Sequence, residues 1–490
     1  MTHVFKTPSG AAGGLRLSES TGRWVVFATA LGAGLVLLET TVLNVALPAM
    51  ARDLGLSMTG MQWTVNAFAL ALSGLILFGG ALGDRYGRKR IYLAGLALFA
   101  AGSVVGGFAG GLGWLVAARV VQGVGGALLV PGSLALIQAA FHPDDRARAV
   151  GAWSGMSGMA GAAGPLLGGM VVDLAGWRWV FWINVPAAVL VAALVVRHVP
   201  ETRDATVSGR LDVAGAVLAA IGLGGLTYSL TDATGGWSSA AVAAAAGMLA
   251  MVAFVVVERR VEAPMLPLGL LARRGFAAAN LASFCLYGAT AGVFFLLPIQ
   301  LQVTGGYSPL AAGLALLPTS VVVLMLSPRA GVLVTRLGPR VPLVAGSVIC
   351  AASALLAVRL GAHASPVFDV LPVAAAAGLG VALVTTPISV TVLSAVPDGS
   401  AGIASGVNNG VARAAGLLVV AALPLLANLP QDATRNPAAL DEAFGVSMLF
   451  CAALFLLGAV VAWFGIGAPA RPMGRRSRAA EPQEAVGASE

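Results

Sequence analysis

Charge is what this chain has least of. Asp, Glu, Lys and Arg make up 10% of its 490 residues while 58% are hydrophobic, against about a quarter charged in an ordinary globular domain. A soluble fold of this composition would need an implausibly large dry interior, so that class is excluded. Cysteine is nearly absent. Cys285, Cys350 and Cys451 each fall inside an apolar run, which argues against a disulfide framework or thiolate metal site and for buried structural thiols. The four histidines, His3, His142, His198 and His363, sit in loops with no ligand-like spacing. No metal and no cofactor is therefore expected. A nucleophile–base pair is missing, and so is any G-x-x-x-x-G-K-S/T loop, so neither an intramembrane enzyme nor an ATP-driven pump is supported. The net charge of +8 comes with no aromatic-interleaved basic face, which removes nucleic acid as a partner.

What the chain does have is apolar runs of membrane-spanning length, near twenty residues each. Fourteen candidate spans can be marked, the first three at Trp24–Leu47, Trp63–Leu82 and Ile91–Phe108 and the last at Phe444–Phe464. The weakest are the seventh and eighth, Val213–Leu230 and Ala240–Val257, and the twelfth, which carries Pro372 and Pro387. With the N-terminus on the cytoplasmic side, 23 of the 29 Lys and Arg residues fall in cytoplasmic segments. The outer segments hold four, Arg52, Arg178, Arg359 and Arg435, while Arg119 and Arg413 lie within spans. That bias places both termini inside. Only Lys6 and Lys89 are lysines; the arginine-heavy usage points to a GC-rich bacterial genome and hence to a bacterial cytoplasmic (inner) membrane.

An internal repeat divides the chain. Gly80, Arg85 and Gly87 recur 251 residues on as Gly331, Arg336 and Gly338, with Asp84 replaced by Thr335. Pro48 and Pro298 keep nearly the same offset. Parallel repeats about an axis along the membrane normal are a known transporter architecture. The expected fold is an all-α polytopic membrane protein of two six-helix bundles with two inserted helices. Its divisions are a cytoplasmic N-terminal segment (1–23), an N-terminal bundle (24–197), a linker with two extra spans (198–274), a C-terminal bundle (275–467) and a polar, disordered tail (468–490).

Four motifs carry a family resemblance. They are Leu38-Glu39-Thr40-Thr41-Val42-Leu43-Asn44 through Pro48 in the first span, the Gly80–Arg90 loop, Arg119 with Gln122-Gly123 and Gly125-Gly126 in the fourth span, and Gly161, Gly164-Pro165 and Gly168-Gly169 in the fifth. In this order the chain resembles the major facilitator superfamily, and within it the fourteen-span drug:proton antiporters. Trp177-Arg178-Trp179 through Asn184 and Pro186 is similar to the same branch. The match covers nearly the whole chain. The resemblance implies a major facilitator fold and a proton-coupled exporter of amphipathic, antibiotic-like molecules. Its partners are then that substrate, protons and the lipid bilayer, and the carrier works as a monomer.

Residue by residue, Glu39 is the clearest acid well inside a span. Burial favours its neutral form and a nearby arginine its charged form, so it is a candidate to exchange a proton. Where the family usually has Asp, this chain has the longer Glu; a snorkelling acid near the outer surface is the plainer alternative. Arg119 matches the family's arginine tied to proton movement, or serves as a fixed counter-charge. Arg413, read as its counterpart in the second half, is weighted toward packing and electrostatics. Asp84 ends a helix, where the dipole disfavours negative charge, and needs a partner. Arg88 is one candidate; the resemblance implies another, the start of the thirteenth span near Ser400–Ser405, as a cytoplasmic latch. Arg85, Gly87 and Arg88 complete that gate. The fifth-span string Gly161, Gly164, Pro165, Gly168 and Gly169 is a close-packing seam that the family motif assigns to sealing the two halves. Candidate substrate contacts are Asn44, Trp63, Asn66 and Gln122 in the first half and Phe284, Tyr287, Phe294 and Phe295 in the second. Export of a native metabolite, lipid or siderophore is the first alternative function, and a non-transporting scaffold or sensor the second.

Overall fold

The computed structural model describes residues 14–203, 212–232, 237–261, 266, 268–397 and 401–467. The tail from 468, most of the first segment and Ser400 lie outside the described residues. Among the described residues, fourteen helices are long and apolar enough to cross a membrane. They are α1 (Ser20–Leu54), α2 (Met58–Tyr86), α3 (Arg88–Gly107), α4 (Leu112–Ala140), α5 (Pro143–Ala175), α6 (Trp179–His198), α7 (Val213–Thr231), α8 (Trp237–Glu258), α9 (Arg274–Val303), α10 (Pro309–Leu337), α11 (Arg340–Ala357), α12 (Pro366–Ser394), α13 (Ala401–Leu426) and α14 (Pro437–Gly465). Most exceed the apolar runs at one or both ends, because polar turns at the membrane surface continue the helix. α12 runs through its prolines: Pro366 lies in an opening π turn, Pro372 in the first α turn after it, and Pro387 in the helix interior.

Helices α1 to α6 form one bundle and α9 to α14 the other. One hydrophobic core lies within the first bundle, and a second runs from the second bundle into the ends of α1, α2, α4, α5 and α6 opposite the termini. Pairings repeat between halves: α1 packs on α5 as α9 packs on α13, and α5 crosses to α10 as α13 crosses to α2. The repeat extends to the turns. Ser57 and Ser308, again 251 apart, both cap helix starts by accepting from the backbone N–H three residues on. Gly87 and Gly338 both end helices at positive φ, 110° and 75°, a conformation glycine adopts without a Cβ clash. α7 and α8 pack on each other, and α7 lies along α2 and α13, covering one of the two seams between the halves. Gly74 meets Ala220 there, and Trp63 meets Tyr228 with ring centroids 6.2 Å apart. Cys285, Cys350 and Cys451 are buried and free.

The halves are hydrogen-bonded at the face opposite the termini. Gln302 Nε2 donates to Val45 O at 2.8 Å, and Gln62 Nε2 to Val420 O at 2.7 Å. Two helix starts are held by the opposite half. Asp173, at the end of α5, accepts from Ser308 Oγ and Leu310 N, each at 2.9 Å. Gln431, after α13, accepts from Met58 N at 3.0 Å and Thr59 N at 3.1 Å. An acceptor at a helix N-terminus answers donors the helix leaves open.

Candidate functional site

Glu39 lies near the middle of α1 and is 1% exposed, which removes the reading of it as a surface acid. Its Oε1 accepts from Arg119 Nη1 at 2.5 Å and its Oε2 from Asn184 Nδ2 at 2.6 Å. Arg119, also 1% exposed, donates from Nε to Thr64 O at 3.0 Å and from Nη1 to Gln122 Oε1 at 2.9 Å. Gln122 Nε2 is anchored on Ser103 Oγ at 2.8 Å. Five helices, α1, α2, α3, α4 and α6, thus contribute to one sealed polar cluster within the first half. An ion pair buried this way is tolerated because hydrogen bonds answer its remaining donors and lone pairs.

Beside the cluster, between the halves, runs a cavity of about 630 Å³, within the size of small-molecule sites. Phe68 is the wall: its ring lines the cavity and lies 4.4 Å from the Arg119 guanidinium carbon. The far-face bonds lie beyond one end of the cavity; the other end runs toward the termini along Leu37, Leu72, Leu393 and Ser405. A second cavity of about 550 Å³ shares Thr41, Asn44, Phe294 and Thr385 with it and extends between α5 and α10, past Gly155 and Gly158. That is the seam α7 and α8 leave uncovered.

Of the candidate substrate contacts, Asn44, Asn66, Tyr287, Phe294 and Phe295 line the main cavity. Three do not, and their placement corrects the sequence reading. The Gln122 side chain is engaged by Arg119 and Ser103 inside the charge cluster. Trp63 packs on Tyr228 of α7. Phe284 lies one turn closer to the termini than Tyr287, the first α9 residue in the lining. Arg413 is a further correction: it belongs to α13, which repeats α5 rather than α4, and it lines the cavity.

The remaining motifs have definite neighbours. Asp84 Oδ1 accepts from Arg88 Nε at 2.7 Å, across the turn at Gly87. Glu201 caps the start of α3 by accepting from Lys89 N at 3.0 Å and Arg90 N at 3.2 Å. Arg85 lies over Tyr86, 5.7 Å from its ring centroid. In α5 the small residues serve two partners. Gly161, Gly164 and Gly168 pack on α1, where a Cβ on Gly164 would collide with Thr41 Oγ1. Gly169 and Pro165 pack across the halves on α10, and a Cβ on Gly169 would collide with the Pro309 carbonyl. The Trp177-Arg178 pair is tied to the end of α1, Asp53 accepting from Trp177 Nε1 at 3.0 Å and Arg178 Nη1 at 2.7 Å. Asn184 and Ser103 were not singled out as site residues; Asn184, a polar residue at the start of an apolar run, was the available signal.

Two repeated six-helix bundles around a cavity, with a buried charge pair in one wall, define a polytopic membrane carrier. The chain belongs to the Major Facilitator Superfamily, whose sequence profile matches residues 29–421. It is 36% identical to a puromycin resistance protein of Streptomyces alboniger over 90% of this chain and 91% of that one. To a tetracenomycin C resistance and export protein of Streptomyces glaucescens it is 33% identical, over 90% and 86%. To a cephamycin export protein of Amycolatopsis lactamdurans it is 36% identical, over 87% and 89%. Among solved structures it resembles a bacterial homologue of the human lysosomal transporter Spinster in an inward-facing, unoccupied conformation, with a TM-score of 0.64 at 16% identity over 92% of this chain and 100% of that one. The POT family transporter PepTSo gives a TM-score of 0.66 at 16% identity, over 90% and 97%. The protein is a multi-pass membrane transporter of this superfamily.

Proposed function

We propose that the protein exports amphipathic, drug- or antibiotic-like molecules across a bacterial cytoplasmic membrane in exchange for protons, by rocking of its two halves. The observation that carries this reading is the Glu39–Arg119 pair, sealed at mid-membrane depth directly behind the wall of an amphipathic cavity. The resistance and export functions named for its relatives support the same reading. With both termini cytoplasmic, as the basic residues favour, the cavity is bonded shut on the outside and runs toward the cytoplasm, the state that loads substrate.

In this scheme the residues 24–197 and 275–467 move against each other. Glu39 is charged and paired with Arg119 in the loading state. Once the cavity faces outward, protonation of Glu39 dissolves the pair, favours substrate release and permits the return. Arg119 cannot surrender its proton under ordinary conditions, so in this scheme the exchanged proton is carried on Glu39. Asp84, with Arg85, Gly87 and Arg88, gates the cytoplasmic side: held by Arg88 here, Asp84 turns to the start of α13 when that side closes. The α5 motif seals the outer side through Gly169 and Pro165, while Gly161, Gly164 and Gly168 fix α5 to α1. Asn44, Asn66, Tyr287 and Phe294 contact substrate. One protein chain suffices, and no cofactor takes part. Each pH unit supplies about 1.4 kcal/mol per proton, enough for about tenfold accumulation in one-for-one exchange.

The test is proton flux in proteoliposomes holding the purified protein. A pH jump drives flux that depends on added tetracenomycin C or a cephamycin; flux indifferent to any tested compound removes the coupling. The export names among the relatives also favour a second reading, secretion of a metabolite the host itself makes. Disruption in the native host, with retention of that metabolite inside the cell, distinguishes it.

A further inference from the structure

Arg413 lies halfway along α13, at the depth where an unmatched charge is most unfavourable. Unlike Arg119, it makes no ion pair with a carboxylate among the described residues. Its Nε is buried without a hydrogen-bond partner, and its side chain lines the 630 Å³ cavity. No Asp, Glu, Lys or His among the described residues lines that cavity or the one that joins it. The acid at this depth, Glu39, is engaged by Arg119, and Phe68 stands between that pair and the cavity. Arg413 therefore gives the cavity a positive charge that no lining carboxylate answers. Other polar atoms there are also unanswered: Oδ1 and Nδ2 of Asn66 and Oδ1 of Asn44, contributed by the opposite half. The wall between these groups is largely apolar and aromatic, with Phe68, Phe294 and Phe295.

We infer that the substrates of this carrier are amphipathic anions, whose carboxylate or other ionised acid group docks on Arg413. The inference rests on the reading of this cavity as the export site. A guanidinium offers paired N–H donors in the geometry of a carboxylate, and such charge-assisted bonds are the strong ones. The apolar body lies against the phenylalanines, and the asparagines answer its polar substituents. A cationic amphipath meets like charge at the same depth with no carboxylate to offset it. The cluster around Glu39 leaves this preference untouched, since its two charges cancel and Phe68 screens them from the cavity.

Three probes of one shape test it: 1-pyrenebutyrate, its uncharged amide, and the trimethylammonium analogue. Binding to the purified full chain is read by energy transfer from tryptophan to pyrene, and efflux is measured separately in proteoliposomes. The wild type binds the carboxylate roughly tenfold or more tightly than either analogue. Arg413→Gln loses that preference and Arg413→Lys keeps a share of it, each variant first shown to be monodisperse with a wild-type unfolding midpoint. If Arg413→Gln does not fold, Arg413→Lys alone decides, because loss of the bidentate fork reduces the carboxylate preference and leaves amide binding unchanged. Equal binding of the three probes by the wild type, or preference for the cation, overturns the inference. So does an unaltered carboxylate preference in a folded Arg413 variant. Charge-selective binding without efflux sinks the export reading and leaves the anion site standing. Export of all three probes alike does the reverse.

Discussion

Replacing Glu39 by Gln removes one charge from a pair in which both partners are 1% exposed and the oxygen and nitrogen lie 2.5 Å apart. Breaking a buried pair by deleting one partner costs about 3–5 kcal/mol. The lower end applies here, because the amide still accepts a hydrogen bond and Arg119 keeps Thr64 O and Gln122 Oε1. About 3 kcal/mol corresponds to roughly a hundredfold in an equilibrium. Arg119→Gln is milder, since a carboxyl left without its arginine can bind a proton and become neutral, whereas a lone guanidinium cannot shed one. Glu39 would also retain Asn184 as a donor. The double variant carries no buried charge, so it is expected to be about as stable as Arg119→Gln alone. A double-mutant cycle measured by denaturant unfolding in mixed micelles then gives a coupling energy of about 3 kcal/mol. Uphill, pH-driven substrate accumulation in proteoliposomes is lost in all three variants, while exchange down a substrate gradient persists in the double variant. A coupling energy under about 1 kcal/mol, or uphill accumulation by Glu39→Gln, refutes the assignment of this pair to proton exchange.

Other consequences concern the seams between the halves. Asp173→Ala withdraws a charged acceptor from the start of α10, an interaction of about 1 kcal/mol at an exposed helix end. It should shift the carrier about fivefold toward the state open at the face opposite the termini, read as faster labelling of a cysteine placed at Asn66. Gly169→Val acts more strongly in the same direction, because its side chain cannot share space with the Pro309 carbonyl; unchanged labelling in both variants removes this seam from the gate. Gly158→Trp enters the cavity between α5 and α10, where an added Cβ meets nothing within 4 Å. The protein should fold and keep its unfolding midpoint while transport of its bulkier substrates slows.

The architecture was legible from the chain because each span announces itself by local composition, and because the repeat leaves its mark at fixed offset. Prolines and turn glycines that a helix end requires cannot drift without loss. Ser57 and Ser308 obey the same register and could have been found by the same comparison. The site was legible only in part. Glu39 and Arg119 stand out as charges in apolar runs, yet they come from helices 80 residues apart, and nothing local says that they meet. Gln122 and Asn184 look alike as polar residues in spans; their joint hold on the Glu39 cluster is a fact of packing.

The two intramembrane arginines show where sequence reasoning stops. Both are single cations in apolar helices with an amide nearby, Gln122 three residues after Arg119 and Asn409 four before Arg413. Composition therefore assigns them one role, a fixed charge among packed helices. Their surroundings separate them. Arg119 faces into its own bundle, where α1 brings a carboxylate to it and α2 a carbonyl, so its charge is answered within the protein. Arg413 is on the helix that crosses to the other half, as α5 does on the far side of the pseudo-repeat, and it lies on the face of that helix that lines the space between the halves. A charge placed there has no partner in the chain that shares the cavity wall with it, and what answers it must come and go with each cycle. What separates two like residues is the face of the helix each occupies, one turned into its own bundle and the other to the cavity between the two.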